Sequence, residues 1–194
     1  MTTMVKSSNG ITLVPEEARL LAQRKLFIEG EITSASACAF VRQIMILLAE
    51  DKEQPIDIFI NSPGGEVNAG MLIYDTLKSL KTPTNLYCLG MAASMAAILL
   101  AAGEKGRRFV LPHSKVMIHE PLISGGVGGS ATSIQRTAES IMETRRISVE
   151  LLANDTGKST DEIEKAISFD NFMNAQEAVD FGLCDAIVPL PLLG

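Results

Sequence analysis

Between residues 25 and 103 a short apolar run, a turn and a longer amphipathic stretch follow one another three times. The first run is Lys25–Gly30 (KLFIEG). From about Ser34 to Glu50, Ala37, Phe40, Val41, Ile44, Leu47 and Leu48 then fall on one stripe with a period of 3.6 residues. The second run is Ile56–Ile60 (IDIFI), which NSPGG at 61–65 closes, and a helical pattern follows from about Val67 to Leu80. The third is Asn85–Leu89 (NLYCL), leading into GMAASMAAILLAAG at 90–103, which reads as a helix of small residues. Strands joined by crossovers of this length cannot pair as hairpins. They pair in parallel, with the helices laid on the sheet. The units are not alike in sequence, so the rhythm is structural. The chain is constrained to an α/β fold with a largely parallel sheet.

Two further short strands are expected at Arg107–Leu111 and Lys115–Ile118. A glycine-rich stretch, ISGGVGGS at 123–130, precedes a long helical pattern with Ile134, Ala138, Ile141, Val149 and Leu152 on one side. Gly157 suits its C-terminal end. Ser159 with Glu162, and Asn174 with Glu177, have the spacing of capping boxes. A last strand is expected at Cys184–Val188. No linker rich in Pro, Ser or charge interrupts the 194 residues, so one domain is expected over 1–194. With 46% apolar residues, a chain of this size buries a core without disulfides or metals.

The formal net charge is −6, and no Lys/Arg cluster is longer than a pair, so a nucleic-acid partner is not expected. The start, MTTMVKSSNG, has no apolar core of a secretory signal. The longest apolar run, from Leu86 to Gly103, carries Ser94 and many alanines and falls short of a spanning helix, so no membrane is expected. A cytoplasmic protein is the expectation. Cys38, Cys88 and Cys184 lie far apart in no ligand spacing, and they read as buried free thiols. No metal site is expected.

Several motifs bear on chemistry. GKS at 157–159 lacks the earlier glycine of a phosphate loop, because position 152 is Leu152. GVGGSA at 126–131 matches a dinucleotide fingerprint in form but does not directly follow a strand, and reads as a surface loop. NSPGG reads as a tight turn into a helix. Near a helix N-terminus, the N–H of Gly65 has no side chain to shield it, which suits the binding of a developing oxyanion. Ser94 is the single hydroxyl in its segment and sits in the first turns of the expected helix after a strand. It is either a packing residue or a nucleophile at the end of a parallel sheet, where α/β folds bind ligands. The elbow G-x-S-x-G is absent, with Ala92 and Ala96 flanking instead. His119 follows the strand KVMI and would be a general base. His113, in a turn, is the weaker candidate. Asp170 would orient the imidazole, but composition does not select it over Asp155, Asp161, Asp180 or Asp185.

Taken together, INSPGG at 60–65, AGMLIYDTL at 69–77, GMAASMAAILLAAGEKGRRFVLPHS at 90–114, VMIHEPL at 116–122, NDTGKS at 154–159 and DNFMNAQEAVDFGLCDAIV at 170–188 resemble the proteolytic subunits of the caseinolytic (Clp) proteases. The resemblance runs from about Arg19 to Val188. It implies a spiral of strand–strand–helix units, a fold shared with crotonase-type acyl-CoA enzymes, and a protruding helix–strand handle at about 120–156. It implies a serine endopeptidase with Ser94 as nucleophile, His119 as base and Asp170 as third triad member. The oxyanion donors would be the N–H groups of Gly65 and Met95. It also implies self-assembly into stacked heptameric rings and polypeptide substrates fed by a ring-shaped AAA+ unfoldase of the ClpX, ClpA or ClpC kind. That partner uses the ATP, and the subunit itself needs no cofactor and no metal.

The chain departs from the family pattern in places. The N-terminal segment, 1–18, is shortened between its Val14–Pro15 start and the Arg19–Leu21 motif. Phe169 stands where the family usually has arginine, Glu120 where it has glutamine and Ala96 where it has glycine. The handle loop is longer. These departures leave open a second reading: a subunit silent alone, activated by or supporting a second chain of the same family in a mixed complex.

Overall fold

A computed structural model describes residues 2–7, 10–123 and 125–190. Strands β3 (Lys25–Ile32), β4 (Ile56–Gly65), β5 (Thr84–Ala93), β6 (Arg108–Val110) and β9 (Ala186–Ile187) lie side by side in that order, all parallel. Helices α2 (Ser34–Glu50), α3 (Val67–Ser79) and α4 (Met95–Ala101) pack in succession, α2 on α3 and α3 on α4. On α2, Ala37, Phe40, Ile44 and Leu47 are the buried residues, as the stripe requires. They meet Leu26, Ile28, Ile58, Ile60, Leu86 and Cys88 from the sheet in one core. The alternate residues Phe27, Phe59, Tyr87 and Phe109 are register partners on successive strands and stack with centroids 5.0, 5.2 and 5.0 Å apart.

Two strands run further than the sequence suggests. NSPGG is not a turn: β4 continues through it, pairing Glu31 with Gly64 and Ile32 with Gly65 after a shift in register. The Ser62 hydroxyl donates to Gly30 O at 2.6 Å and accepts from Gly64 N at 3.1 Å, filling the gap the shift opens. Likewise Gly90–Ala93 is strand rather than helix. The first half of β5 pairs β6, and the second half, Met91–Ala93, pairs β7 (Lys115–Ile118). At the split, Ser114 Oγ accepts from Gly90 N at 2.8 Å and donates to Cys88 O at 3.1 Å. Alanine favours helix only weakly as a prior, and a strand edge needing a partner overrides it.

Three elements were not expected: a hairpin of β1 (Thr2–Ser7) and β2 (Gly10–Pro15), helix α1 (Glu16–Leu21), and β8 (Asn171–Met173), which pairs antiparallel with β7. Helix α5 (Ala131–Thr156) has 26 residues, about 39 Å at 1.5 Å per residue. Its buried residues begin only at Ser148, with Val149, Leu152 and Asp155 following, whereas Ile134 is exposed. The expected apolar stripe therefore serves this core only at its C-terminal end. That end is fixed by Asp155, which accepts from Tyr74 Oη at 3.0 Å and Lys78 Nζ at 2.6 Å.

Both predicted capping boxes are present, opening α6 (Thr160–Ile167) and α7 (Ala175–Phe181). Gly157, at φ 82°, ends α5, and Ser159 caps α6, so GKS is two helix boundaries. The thiols need one correction. Cys88 and Cys184 are buried, and burial pushes both up to about 12, but Cys38 is exposed on α2. Periodicity placed Cys38 beside buried Ala37, and the neighbouring position of a helix faces away by about 100°. Position 124 of the glycine-rich stretch lies outside the described residues.

Candidate active site

Ser94 sits between β5 and α4 with φ 55° and ψ −124°, a backbone that side-chain-bearing residues rarely adopt. It is not within the helix, as the sequence reading had it, but at its N-cap. Such a conformation costs about 1–3 kcal/mol and persists only where the surroundings fix it. Here Ser94 N donates to Met117 O at 2.8 Å, and Ser94 O accepts from Ala97 N at 3.0 Å. The turn aims the hydroxyl out of a helix whose seven residues are all buried. A strained strand-to-helix elbow thus forms without the G-x-S-x-G sequence.

Room for the elbow comes from β4. A Cβ on Gly64 would lie 2.7 Å from Ser94 Cβ, 2.8 Å from Ala93 O and 3.1 Å from Met95 N, and its φ is 96°. Gly64 is buried, whereas Gly65, the last residue of β4, is exposed. Gly65 has φ 153°, and a Cβ there would overlap the Ile32 backbone. Met95 N is a first-turn amide of α4, a position that lacks an intrahelical acceptor. Sequence reasoning noticed Gly65 but passed over Gly64, whose need is steric and visible only in three dimensions.

His119 follows β7, which pairs β5 alongside the serine. Its Nε2 is 2.8 Å from Ser94 Oγ. Antiparallel pairing of β7 with β8 sets Ile118 opposite Asn171, so the next residues outward are His119 and Asp170. Asp170 Oδ1 is 3.2 Å from His119 Nδ1. The distance is that of an ion pair, but the angle is not that of a hydrogen bond: among the described residues the buried Nδ1 has no hydrogen-bond partner. The Asp170 side chain is 66% exposed against 13% for His119.

The other aspartates are engaged elsewhere. Asp155 holds Tyr74 and Lys78, Asp185 holds Arg108, Asp180 accepts from Gln176, and Asp161 lies in the first turn of α6. His113 is exposed in its turn. The structure therefore brings Ser94, His119 and Asp170 together and leaves the alternatives apart.

Next to His119, Glu120 N donates to Ile167 O at 2.9 Å. The Glu120 carboxylate accepts from Arg145 Nε at 3.2 Å, and the same guanidinium reaches Glu164 at 3.1 Å. Phe169, before the aspartate, is 60% exposed. Among the described residues, no three His, Cys, Asp or Glu side chains converge as a metal site would require. No helix among them is long and apolar enough to cross a membrane.

A model of the Clp protease family matches residues 10–190. Over 187 residues the chain is 44% identical to the ATP-dependent Clp protease proteolytic subunit of Ligilactobacillus salivarius (strain UCC118), an alignment covering 96% of this chain and 94% of that one. A match across nearly the whole length, over an elbow serine paired with a histidine, leaves one assignment: this chain belongs to the Clp protease family.

Proposed function

We propose that this serine-type peptidase subunit cleaves polypeptide chains through an acyl-enzyme on Ser94. The observation that carries the reading is the 2.8 Å contact between Ser94 Oγ and His119 Nε2 at a strained elbow. His119 takes the hydroxyl proton as Oγ attacks the scissile carbonyl, then delivers it to the leaving amine. The Gly65 and Met95 amides receive the oxyanion. Water, deprotonated by the same imidazole, hydrolyses the ester. Asp170 fixes the ring and offsets the imidazolium charge as its carboxylate turns into line with Nδ1. The glycine-rich stretch around 125–129 takes the substrate backbone by strand addition, a mode that reads few side chains.

The similar subunit is named as part of an ATP-dependent protease. By that likeness the chain works in a ring assembly with a partner ATPase of the AAA+ unfoldase class. The uncovered part of α5, within the handle of 120–156, supports self-assembly into stacked heptameric rings. Nothing observed favours a subunit that is silent without a second paralogue.

A fluorophosphonate with intact-mass readout tests the reading. One adduct is expected on the purified protein and none on Ser94→Ala. No adduct on the folded protein, or an adduct surviving in Ser94→Ala, overturns the nucleophile.

A further inference from the structure

The elbow is held from β4 by Gly64, which stands against Ser94 Cβ and Met95 N. Six residues on, the same chain returns to the elbow from the first turn of α3. There Gly70 is buried against Met95. A Cβ on Gly70 would overlap Met95 Cγ and lie 2.7 Å from Sδ and 3.0 Å from Cε. The Gly70 backbone is ordinary helix, its N–H donating to Glu66 O at 2.9 Å. That conformation does not demand glycine, and alanine is the better helix former. What demands glycine is the Met95 side chain.

Met95 is 3% exposed, and every residue of α4 is buried. Protein interiors are packed as densely as organic crystals, so a displaced Cγ has no empty space to enter. Methionine bends its outer atoms around an obstacle readily. Cγ, however, lies only two bonds from the backbone. Moving it means turning χ1 out of its staggered well or shifting the start of α4. Either way the strain falls on the residue whose amide follows the serine.

We propose that Gly70 is a positioning residue for the reaction: it leaves the slot that seats the Met95 side chain, and the seated side chain fixes where the Met95 N–H points. The proposal rests on the reading of that N–H as an oxyanion donor. Gly64 and Gly70 then hold one residue, the first by its backbone and the second by its side chain. Such a donor works only through its placement, because the charge it meets exists only in the transition state.

Kinetics of Gly70→Ala on an unstructured peptide test this. The variant should keep its far-ultraviolet circular-dichroism spectrum. Its kcat is expected to fall about 10²-fold, the cost of a misplacement near 1 Å, with KM within about twofold of wild type. A peptide boronate, whose tetrahedral adduct sets an oxygen where the oxyanion forms, should lose affinity by the same factor as kcat/KM. Binding of the peptide to Ser94→Ala should not change when Gly70→Ala is added. Met95→Ala removes Cγ, so the double variant Gly70→Ala/Met95→Ala should turn over faster than Gly70→Ala alone. A wild-type kcat in Gly70→Ala, a loss confined to KM, or losses that simply multiply across the two substitutions overturn the proposal.

Replacing Met95 by its α-hydroxy acid separates the two assignments, since it deletes the N–H and keeps the side chain. Full activity in that protein condemns the donor reading, and Gly70 with it. A loss of about 10²- to 10³-fold there, beside a normal kcat in Gly70→Ala, spares the donor and condemns Gly70 alone.

Discussion

The two nitrogens of His119 live in different surroundings. Nε2 meets a hydroxyl whose position is over-determined: a strained backbone, a buried helix behind it and a glycine that leaves only enough room. Nδ1 meets a carboxylate on a largely exposed residue beside a three-residue strand, at ion-pair distance but without hydrogen-bond direction. The nucleophile's half of the site is built into the core. The carboxylate's half hangs on an edge. Rigid placement is what a nucleophile and base require, because their geometry sets the reaction path. An orienting carboxylate can be brought into line later by whatever packs on the edge, and the exposed Phe169 and Phe172 mark that edge as uncovered in a single chain.

The contrast fails at once if the built half is dispensable. Ser94→Ala and His119→Ala should each lower peptide turnover on the order of 10⁴-fold or more with the circular-dichroism spectrum unchanged. Asp170→Ala should cost about a hundredfold less than either, since the orienting acid is the weakest member of such a unit. Steady-state kinetics of the three variants side by side decide it. Equal losses would mean that Asp170 is as indispensable to the working enzyme as the nucleophile and the base. Gly64→Ala probes the built half without touching a reacting group. Its methyl would press on Ser94 Cβ and the Met95 amide, and a shift of that size should cost about 10²-fold in kcat. Near-normal kcat would show that the elbow tolerates movement.

The same division explains what the sequence disclosed. Helix α2, the capped starts of α6 and α7, and β7 carry their signals locally, in a stripe, a Ser or Asn three residues before Glu, or a short apolar run. Ser94 and His119 stood in segments whose family likeness was specific. What stayed hidden depended on distant partners. NSPGG looks like a turn until β3 shows it a register partner, and Gly90–Ala93 looks helical until β7 supplies an edge. Composition left Asp170 one of five aspartates and only the family resemblance singled it out; the strand that sets it beside His119 has three residues, too few to show periodicity. The hairpin of β1 and β2 did have a local signal, β-branched residues flanking Asn9–Gly10, that a reading centred on helices passed over.

The smallest effect expected here sharpens the comparison from outside the site. Arg108 and Asp185 show what a directed ion pair looks like in this molecule. The guanidinium reaches Asp185 at 2.6 and 3.1 Å, and the backbone amides of Gly106 and Arg108 add 2.7 and 3.0 Å contacts. Burial alone would push the Asp185 carboxyl up, but these donors and the Arg108 charge outweigh it and hold it below the usual carboxylate range. A carboxyl whose pKa is lower folded than unfolded stabilises the protein fully above the unfolded value, near 3.8, and that contribution fades as pH falls through the folded one. Thermal melts between about pH 6 and pH 3, roughly the span of carboxylate titration, should therefore show Tm level at first and falling only toward the acid end. Asp185→Asn should lower Tm at neutral pH and flatten that acid decline. An Asp170→Asn protein should instead melt like the wild type throughout, because an exposed, misdirected carboxylate contributes little to folding. If Asp170→Asn lost stability as Asp185→Asn does, the edge of the site would be as firmly built as its core.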